Sequence, residues 1–264
     1  MIGRTNALTK GGGGGDGSPI MYSGLWQWDT DANGTTIVRL LSSGNLIFTK
    51  SFALDVFICG GGGSGAAMSA NPDRASGAGG GYTRTERVTC QEGVVYPIVV
   101  GAGGASANAS GYGSQGGNSS AFGYTANGGA GGRYGGSTVS IGGNGGSAGQ
   151  GVGSSTPSGY KGGTDGGSAT GQNSGTGQGS TTRMFGEGNQ QLFGGGGGAV
   201  RYNDGYQIGG AGDETATAGN STADALPNRG GGTGAIMGSS AIRSGKGGSG
   251  VVILRSPEFI NPFA

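Results

Sequence analysis

Apolar and polar side chains alternate in short stretches near the start of the chain, as they do in half-buried β-strands. Trp26 and Trp28 alternate with polar residues, and the Asn33-Gly34 pair that follows is a strong hairpin signal. Turn residues bound the later stretches in the same way. The pattern predicts strands around residues 26–29 and over residues 35–41, 46–50, 52–59, 82–90, 94–100 and 251–255.

Most of these strands adjoin clusters of glycine. Residues 52–59 run into four consecutive glycines, and residues 247–250 lead into the last strand. We expect that C-terminal strand to close the sheet and satisfy its edge. No apolar period of 3.6 residues persists for two turns, so the sequence predicts little or no α-helix.

Glycine dominates the composition, with 71 residues of 264, while charged residues make up 11% and the net charge is +1. Ordering glycine costs more backbone entropy than ordering any other residue, which favours disorder. Disorder is also favoured by high net charge, which is missing here. Because apolar strands flank the glycine clusters, we expect an ordered chain in which glycine lets backbones approach closely.

The glycine clusters do not keep the strict three-residue phase of collagen, and the chain has only seven prolines. The remaining ordered arrangement is polyglycine II, in which extended segments with three residues per turn pack side by side. The predicted fold is therefore mainly β and irregular, with a small antiparallel β-sheet or sandwich combined with a polyglycine II-type bundle.

Composition shifts divide the chain into four parts. We expect an N-terminal arm or linker over residues 1–24 and a β-rich docking region over residues 25–59. A glycine-rich domain is expected over residues 60–255, closed by the strand at 251–255, and a tail over residues 256–264.

Several classes of function are disfavoured by what the sequence contains. No run of Lys and Arg suggests nucleic acid as a partner, and no apolar stretch approaches the length of a membrane span. Residues 1–10 lack the apolar core of a Sec signal peptide, so we expect another route out of the cell. Cys59 and Cys90 are too few for a disulfide framework; two buried thiols are favoured over one inter-strand disulfide.

Catalysis and cofactor binding are also disfavoured. The chain has no His, which removes the commonest general base and metal ligand. Matches to Gly-x-Gly-x-x-Gly arise by chance in such a composition, and no helix is predicted after them, as a dinucleotide site requires. The sequence predicts a protein that is not an enzyme and has no cofactor or metal.

The order of the glycine-rich motifs resembles a known family. The stretch "FTKSFALDVFICGGGG" (residues 48–63) is followed by "GAGGGYTRTERVTCQEGVVYPIVVGAGG" (residues 77–104), "LFGGGGGA" (192–199) and "GGSGVVILR" (247–255). This set resembles the glycine-rich domain of phage and prophage tail-fibre and adhesin-type tail proteins, and it covers roughly residues 40–255. The resemblance implies a polyglycine II-type bundle with a small β-sheet.

Residues that interrupt the glycine pattern are the candidates for recognition. Tyrosine gives a large contact area at low entropy cost, so we expect receptor or glycan contacts in exposed loops. The candidates are Tyr112, Tyr124, Tyr134, Tyr160, Tyr202 and Tyr206. Several of them could instead pack on the bundle or against a neighbouring subunit. A second set is expected to form the small core or a docking interface: Trp26, Trp28, Phe48, Phe52 and Phe57.

These expectations combine into a non-enzymatic structural protein of a phage tail or fibre tip that presents loops to a host receptor. Its partners would be other virion tail proteins and a host-cell glycan or protein, with no nucleic acid and no membrane insertion. A homo-oligomer, with a trimer favoured, or a cap on a fibre is expected because the core is small. The alternatives are a purely architectural tail component and a bacterial surface or ice-binding protein.

Overall fold

The chain folds mainly into β-structure, as the sequence predicts. The computed structural model describes residues 9–10, 19–68, 74–108, 111–135, 146, 182–198, 200–201, 223–237 and 243–259. The described residues contain no α-helix, and a 3₁₀ turn spans Met184–Gly186. Their strands are β1 (Thr9–Lys10), β2 (Ile20–Tyr22), β3 (Leu25–Thr30), β4 (Thr36–Leu40), β5 (Gly44–Phe48), β6 (Phe52–Cys59), β7 (Ala67–Met68), β8 (Arg74–Ala75), β9 (Thr83–Cys90), β10 (Val95–Ile98), β11 (Ser119–Ala121), β12 (Tyr124–Ala126), β13 (Tyr134–Gly135), β14 (Val200–Arg201), β15 (Ile236–Met237) and β16 (Val251–Arg255).

The largest sheet, called here the large sheet, has the order β1–β3–β4–β16–β6–β9. The C-terminal strand β16 lies inside it, with Val252 opposite both Leu40 and Ile58. The strand thus satisfies the facing edges of β4 and β6 from inside the sheet. Its four consecutive apolar residues explain the position, because a strand buried on both faces reads as a continuous apolar run.

Each face of the large sheet is covered by a different apolar cluster. On one face Val252 and Leu254 join the main core, while Val251 and Ile253 pack on the other face. The second cluster includes Phe57, Phe193 and the 3₁₀ turn residues Met184 and Phe185. The alternation of period two along β16 thus assigns its side chains to two separate cores.

A three-stranded antiparallel sheet, called the small sheet, has the order β10–β5–β2 and faces the large sheet across the main core. Ile20 and Tyr22 of β2 are buried there beside Leu46 and Phe48 of β5. Residues 20–22 were expected to belong to a linker, and they are instead a strand of this sandwich. The apolar pattern covers only these three residues, so the glycine run before them favoured the prediction of a linker.

The glycine-rich segments continue the strands of the sandwich. Residues 60–68 follow β6, residues 74–82 lead into β9, and residues 243–250 lead into β16. Backbone hydrogen bonds join these segments side by side into what we call the glycine bundle. Short strands lie at its other end, as the parallel pair β7–β15 and the sheet β13–β8–β14. The sandwich and the bundle are continuous, because β16 of the predicted glycine-rich domain lies between two strands of residues 25–59.

Hydrogen bonds along residues 60–68 repeat with a period of three residues. The N–H groups of Gly60, Gly63 and Ala66 all donate to one neighbouring segment, at Tyr82, Gly79 and Ser76. Those of Gly61, Ser64 and Ala67 donate to a second segment, at Gly117, Ser114 and Gly111. Within the described part of the chain, residues 60–68 exchange backbone hydrogen bonds with six segments, at residues 76–82, 104, 111–117, 129–132, 233–236 and 248.

The spacing around this central segment leaves no room for side chains at its glycines. A Cβ atom on Gly62 would lie 2.1 Å from the carbonyl oxygen of Gly231, and one on Gly61 would lie 2.1 Å from that of Ala102. Both contacts are with backbone atoms, which cannot rotate away. Glycine is thus a packing requirement in the bundle, as expected. The polyglycine II geometry itself stays a prediction.

Candidate functional site: the aromatic groove

An open groove of about 430 Å³ lies at the flank of the sandwich, beside the edge strand β9. Strand β9 forms one wall, and β10 with the β11–β12 hairpin forms the rest. We call it the aromatic groove. Its lining residues are Arg87, Val88, Thr89, Tyr96, Pro97, Phe122, Gly123 and Tyr124.

Two aromatic rings of the groove, those of Tyr96 and Phe122, are held by contacts with each other and with neighbouring strands. The rings of Tyr96 and Phe122 have centroids 4.8 Å apart, and Phe122 also stacks on Phe48 at 6.2 Å. The hydroxyl oxygen of Tyr96 accepts a hydrogen bond from the backbone N–H of Gln91 at 2.8 Å. These contacts fix the rings before any ligand arrives, which lowers the entropy cost of binding.

The hairpin that carries Phe122 has an unusual backbone. Phe122 has φ 52° and Gly123 has φ 81°, so both central residues of the turn between β11 and β12 lie at positive φ. Two-residue hairpin turns of this kind favour Asn-Gly or Gly-Gly, because bulky residues are strained there. The strained Phe122 places its ring on Tyr96 and in the groove, and strain of this kind is concentrated at functional positions.

Two arginines of β9 lie beside the groove, on opposite faces of the strand. The guanidinium carbon of Arg84 lies 4.6 Å from the centroid of the Tyr124 ring, a cation–π contact. Arg84 also pairs with Glu86 at 2.7 Å between Nε and Oε1. Arg87 donates from Nη1 to Asp55 Oδ1 at 3.0 Å, and its side chain is 72% exposed. Arg84 therefore faces the rings, whereas the guanidinium of Arg87 lies with Asp55 on the other face of the large sheet.

A second group of charges, the Arg255 cluster, lies at the end of β16. Arg255 pairs with Asp31 at 3.4 Å, Asp55 at 3.2 Å and Glu187 at 2.7 Å. Its guanidinium also lies 4.1 Å from the centroid of the Phe185 ring. The hydrogen bond from Arg255 lowers the pKa of Glu187 below its ordinary value. The guanidinium occupies the space between the carboxylates, so this cluster is a structural junction.

The structure separates the tyrosines that were expected to share a recognition role. Tyr124 lies in β12 at the groove, whereas Tyr134 lies in β13 at the other end of the glycine bundle. Tyr112 is 60% exposed and follows Gly111, which pairs with Ala67 near that same end. The expectation that Tyr124 and Tyr134 stand in loops is wrong, since both are in strands. Tyr160, Tyr202 and Tyr206 lie outside the described residues.

The five residues predicted for the core or a docking interface are divided between the two faces of the large sheet. Trp28 and Phe48 are buried in the main core, with Trp26 and Phe52 packed against it. Phe57 belongs to the second cluster, where its ring lies 5.0 Å from that of Phe193. Side chains alternate between the two faces along β6, so Phe57 lies on the face opposite to Val56 and Ile58.

Sequence reasoning missed Arg84, Arg87, Tyr96 and Phe122 as members of a site. The stretch around Tyr96 was recognised as a strand, and its alternation does place Tyr96 and Ile98 on one face. The Phe122-Gly123 pair carried a weak turn signal only. Nothing local relates Tyr96 and Phe122 to the residues of β9, because the groove arises where three separate stretches meet.

The two cysteines are buried thiols far from each other. Cys59 lies opposite Thr83 and Cys90 lies opposite Phe52, at opposite ends of the β6–β9 pair. Seven residues of extended strand separate these ends by about 23 Å, so an intrachain disulfide is excluded. Burial raises the pKa of Cys59 to about 12 and also raises that of Cys90.

The described residues carry no candidate metal site and no membrane-spanning helix. Among the described residues, no group of three or more His, Cys, Asp or Glu side chains could hold a metal ion. None of those residues forms a helix with the length and apolarity needed to cross a membrane.

Comparison with known families gives one match. The model of a family described as a glycine-rich domain matches residues 42–257, which is most of the chain. No curated protein matches the chain. The match begins before β5 and ends after β16, so it includes both the glycine bundle and most strands of the sandwich.

Proposed function

This chain belongs to the glycine-rich domain family, and from that premise we propose that it is a non-enzymatic structural and recognition protein of a phage tail or fibre tip. Its body is a rigid spacer, and its exposed surfaces contact a host-cell receptor. Its partners are other tail proteins and a glycan or protein on the host. The protein acts outside the cell, as part of a virion.

The observation that carries this proposal is the six-neighbour packing of residues 60–68. A period of three residues in the hydrogen bonds is what polyglycine II-type segments require, and it supports that geometry here. Because each segment is tied to several others, the bundle resists bending without a large apolar core. A stiff rod of this kind suits a protein that holds a binding surface away from a particle.

The sandwich offers a surface for attachment to a neighbouring tail protein. Val95, Ile47 and Met21 are aligned across the three strands of the small sheet, on the side away from the main core. Val95 is 52% exposed and Met21 is 38% exposed. A row of uncovered apolar side chains favours docking on another chain. Of its three residues, Ile47 lies in the predicted docking region, residues 25–59. Tyr96 lies on the opposite side of β10 from Val95, so docking leaves the aromatic groove accessible.

Immunogold labelling tests the virion assignment. Antibodies raised against the whole chain would be applied to particles released by cells that produce it, and we expect label at one end of the tails. Antibodies against an unrelated cytosolic protein of the same cells provide the control. Label confined to cell walls or cytosol would overturn the proposal and favour a bacterial surface protein.

A purely architectural role is the second candidate, favoured by the same apolar row. Adsorption of the purified, fluorescently labelled protein to host cells separates it from recognition. We expect saturable binding that unlabelled protein displaces. Label on tails together with no adsorption to any susceptible host would leave the architectural role and contradict receptor contact.

A further inference from the structure

We propose that residues 182–193 form a strap, held closed by the contact of Glu187 with Arg255, that opens as a unit while the sandwich stays folded. The strap contains the 3₁₀ turn and covers the second apolar cluster of the large sheet. Its opening uncovers the members of that cluster that lie on the sheet, which are Ile37, Phe57, Cys59, Val251 and Ile253. The inference goes beyond the proposed function and holds whether or not the chain belongs to a virion.

The backbone of the strap is hydrogen-bonded to itself. The N–H group of Met184 donates to the carbonyl oxygen of Gln191 at 3.0 Å, and that of Phe193 donates to Thr182 at 2.9 Å. Three further N–H groups of the strap donate within it, those of Gly186, Glu187 and Gln190. These hydrogen bonds remain when the strap moves away, whereas a strand cannot leave a sheet without breaking its ladder. The strap is therefore a separate unit of the kind that opens at lower free energy than the whole fold.

Phe185 keeps the strap under backbone strain in its closed position. Its φ of 56° and ψ of 15° lie in the left-handed region, which a bulky residue rarely adopts. The side chain is buried against the large sheet, where the centroid of its ring lies 6.3 Å from that of Phe57. Burial of the ring holds the strained conformation, so opening releases the strain. Strain of this kind is concentrated in segments that switch between two positions.

Side chains fasten the strap to β16 and to the turn between β3 and β4. Glu187 Oε1 lies 2.7 Å from Nη2 of Arg255, and Glu187 Oε2 accepts a hydrogen bond from Asn33 Nδ2 at 2.8 Å. Gln190 Oε1 accepts another from the backbone N–H of Ala32 at 3.1 Å. The side chain of Glu187 is 34% exposed, so water competes for its contacts. The fastening is thus polar and reaches the solvent, unlike the buried ladders of the sheet.

Acid weakens this fastening. The hydrogen bond from Arg255 lowers the pKa of Glu187 below its ordinary value, and the same guanidinium is shared with Asp31 and Asp55. The other charged groups connected to these contacts are Arg39, Asp29, Arg87 and Arg183. Protonated Glu187 no longer forms the ion pair. The strap therefore opens more readily as the pH falls through the lowered pKa of Glu187.

Native-state hydrogen exchange of the whole chain, followed by mass spectrometry at low concentrations of urea, tests the proposal. Peptides that cover residues 182–193 should exchange through an opening with little dependence on urea, while those that cover β6 and β16 stay protected. Glu187→Gln should lower the protection of the strap about tenfold at pH 7, since it removes a charged hydrogen bond. Lys50→Met breaks an exposed ion pair outside the strap and is the control, which should leave that protection unchanged.

The wild type alone provides a second measurement, which does not depend on the folding of any variant. Protection of its strap, corrected for the intrinsic exchange rate at each pH, should fall in acid while β6 and β16 stay protected. Equal free energies and equal urea dependence of exchange for the strap, β6 and β16 would show that the strap opens only with the whole fold, which refutes the inference. A separate opening that neither acid nor Glu187→Gln changes would refute the fastening by Arg255.

Discussion

Arg255 Nη1 lies 3.4 Å from Oδ2 of Asp31, whose side chain is fully buried. Arg255 ends the central strand β16, and Asp31 begins the turn between β3 and β4. Asp31 Oδ1 accepts hydrogen bonds from the N–H groups of Asn33 and Thr35, both at 2.9 Å. One buried carboxylate therefore stabilises a hairpin turn and pairs with the C-terminal strand.

Removing Arg255 should destabilise the sandwich strongly. Arg255→Met keeps the apolar stem but leaves the buried charge of Asp31 without a cation, and breaking a buried pair costs about 3 to 5 kcal/mol. Lys50→Met is the matched control, because the side chains of Lys50 and Glu258 are 51% and 44% exposed. We expect that control to change the free energy of unfolding by about 0.5 kcal/mol or less. Similar losses in both variants, measured by urea denaturation, would contradict the structural role of the cluster.

Glu187 should make the stability of the fold depend on pH in the acid range. Arg255 lowers the pKa of Glu187 below its ordinary 4.5 in the folded chain. The contribution of ionised Glu187 to the free energy of unfolding is therefore complete above pH 4.5, and it is lost as the pH falls through the lowered pKa of the folded chain. Glu187→Gln should reduce the free energy of unfolding at neutral pH, and its difference from the wild type should shrink in acid. Parallel acid profiles for the two proteins would show that Arg255 does not stabilise this carboxylate.

The strands could be predicted because their signals are local. The pattern over residues 52–59 gave β6 with its full bounds, and residues 251–255 gave β16. The place of β16 in the sheet could not be predicted, because it depends on pairing with β4 and β6, about 200 residues earlier. The same holds for Ile20, whose burial comes from β5 rather than from its neighbours in sequence.

The candidate site was less predictable than the fold. Tyr124 is a candidate by its chemistry and does line the groove, but it lies in a strand and not in the expected loop. Arg84 contacts it from a strand 40 residues earlier, and no sequence period relates the two. Phe122 was overlooked because it occupies a turn position with positive φ, where glycine or asparagine is the residue expected from sequence. Sites assembled across strands require the topology before their residues can be recognised.

Both cysteines should be unreactive in the folded protein. Cys59 and Cys90 are fully buried, and the pKa of each is raised by burial, so little thiolate is available. Ellman's reagent should detect no thiol in native protein and two per chain in denaturant. Ser43→Cys, which adds one exposed cysteine to the two buried ones, is the reactive control and should give one thiol per chain in the native protein. Absence of free thiols in denaturant under non-reducing conditions would mean that the cysteines pair between chains.

The glycines of the bundle should differ sharply in their tolerance of alanine. In Gly62→Ala the new Cβ would lie 2.1 Å from the Gly231 oxygen, so the bundle must open at its centre, and we expect a loss of about 3 kcal/mol or more. Gly234→Ala, also in the bundle, meets nothing closer than 3.4 Å and should be nearly neutral. Gly188→Ala meets nothing within 4 Å, and reducing the freedom of the unfolded chain should stabilise it by about 0.5 kcal/mol. Urea denaturation of the three variants tests this order of stability. If Gly62→Ala fails to fold while the other two variants fold, that result also agrees with the prediction. Equal stability in all three would mean that glycine gives the bundle flexibility and is not required for close packing.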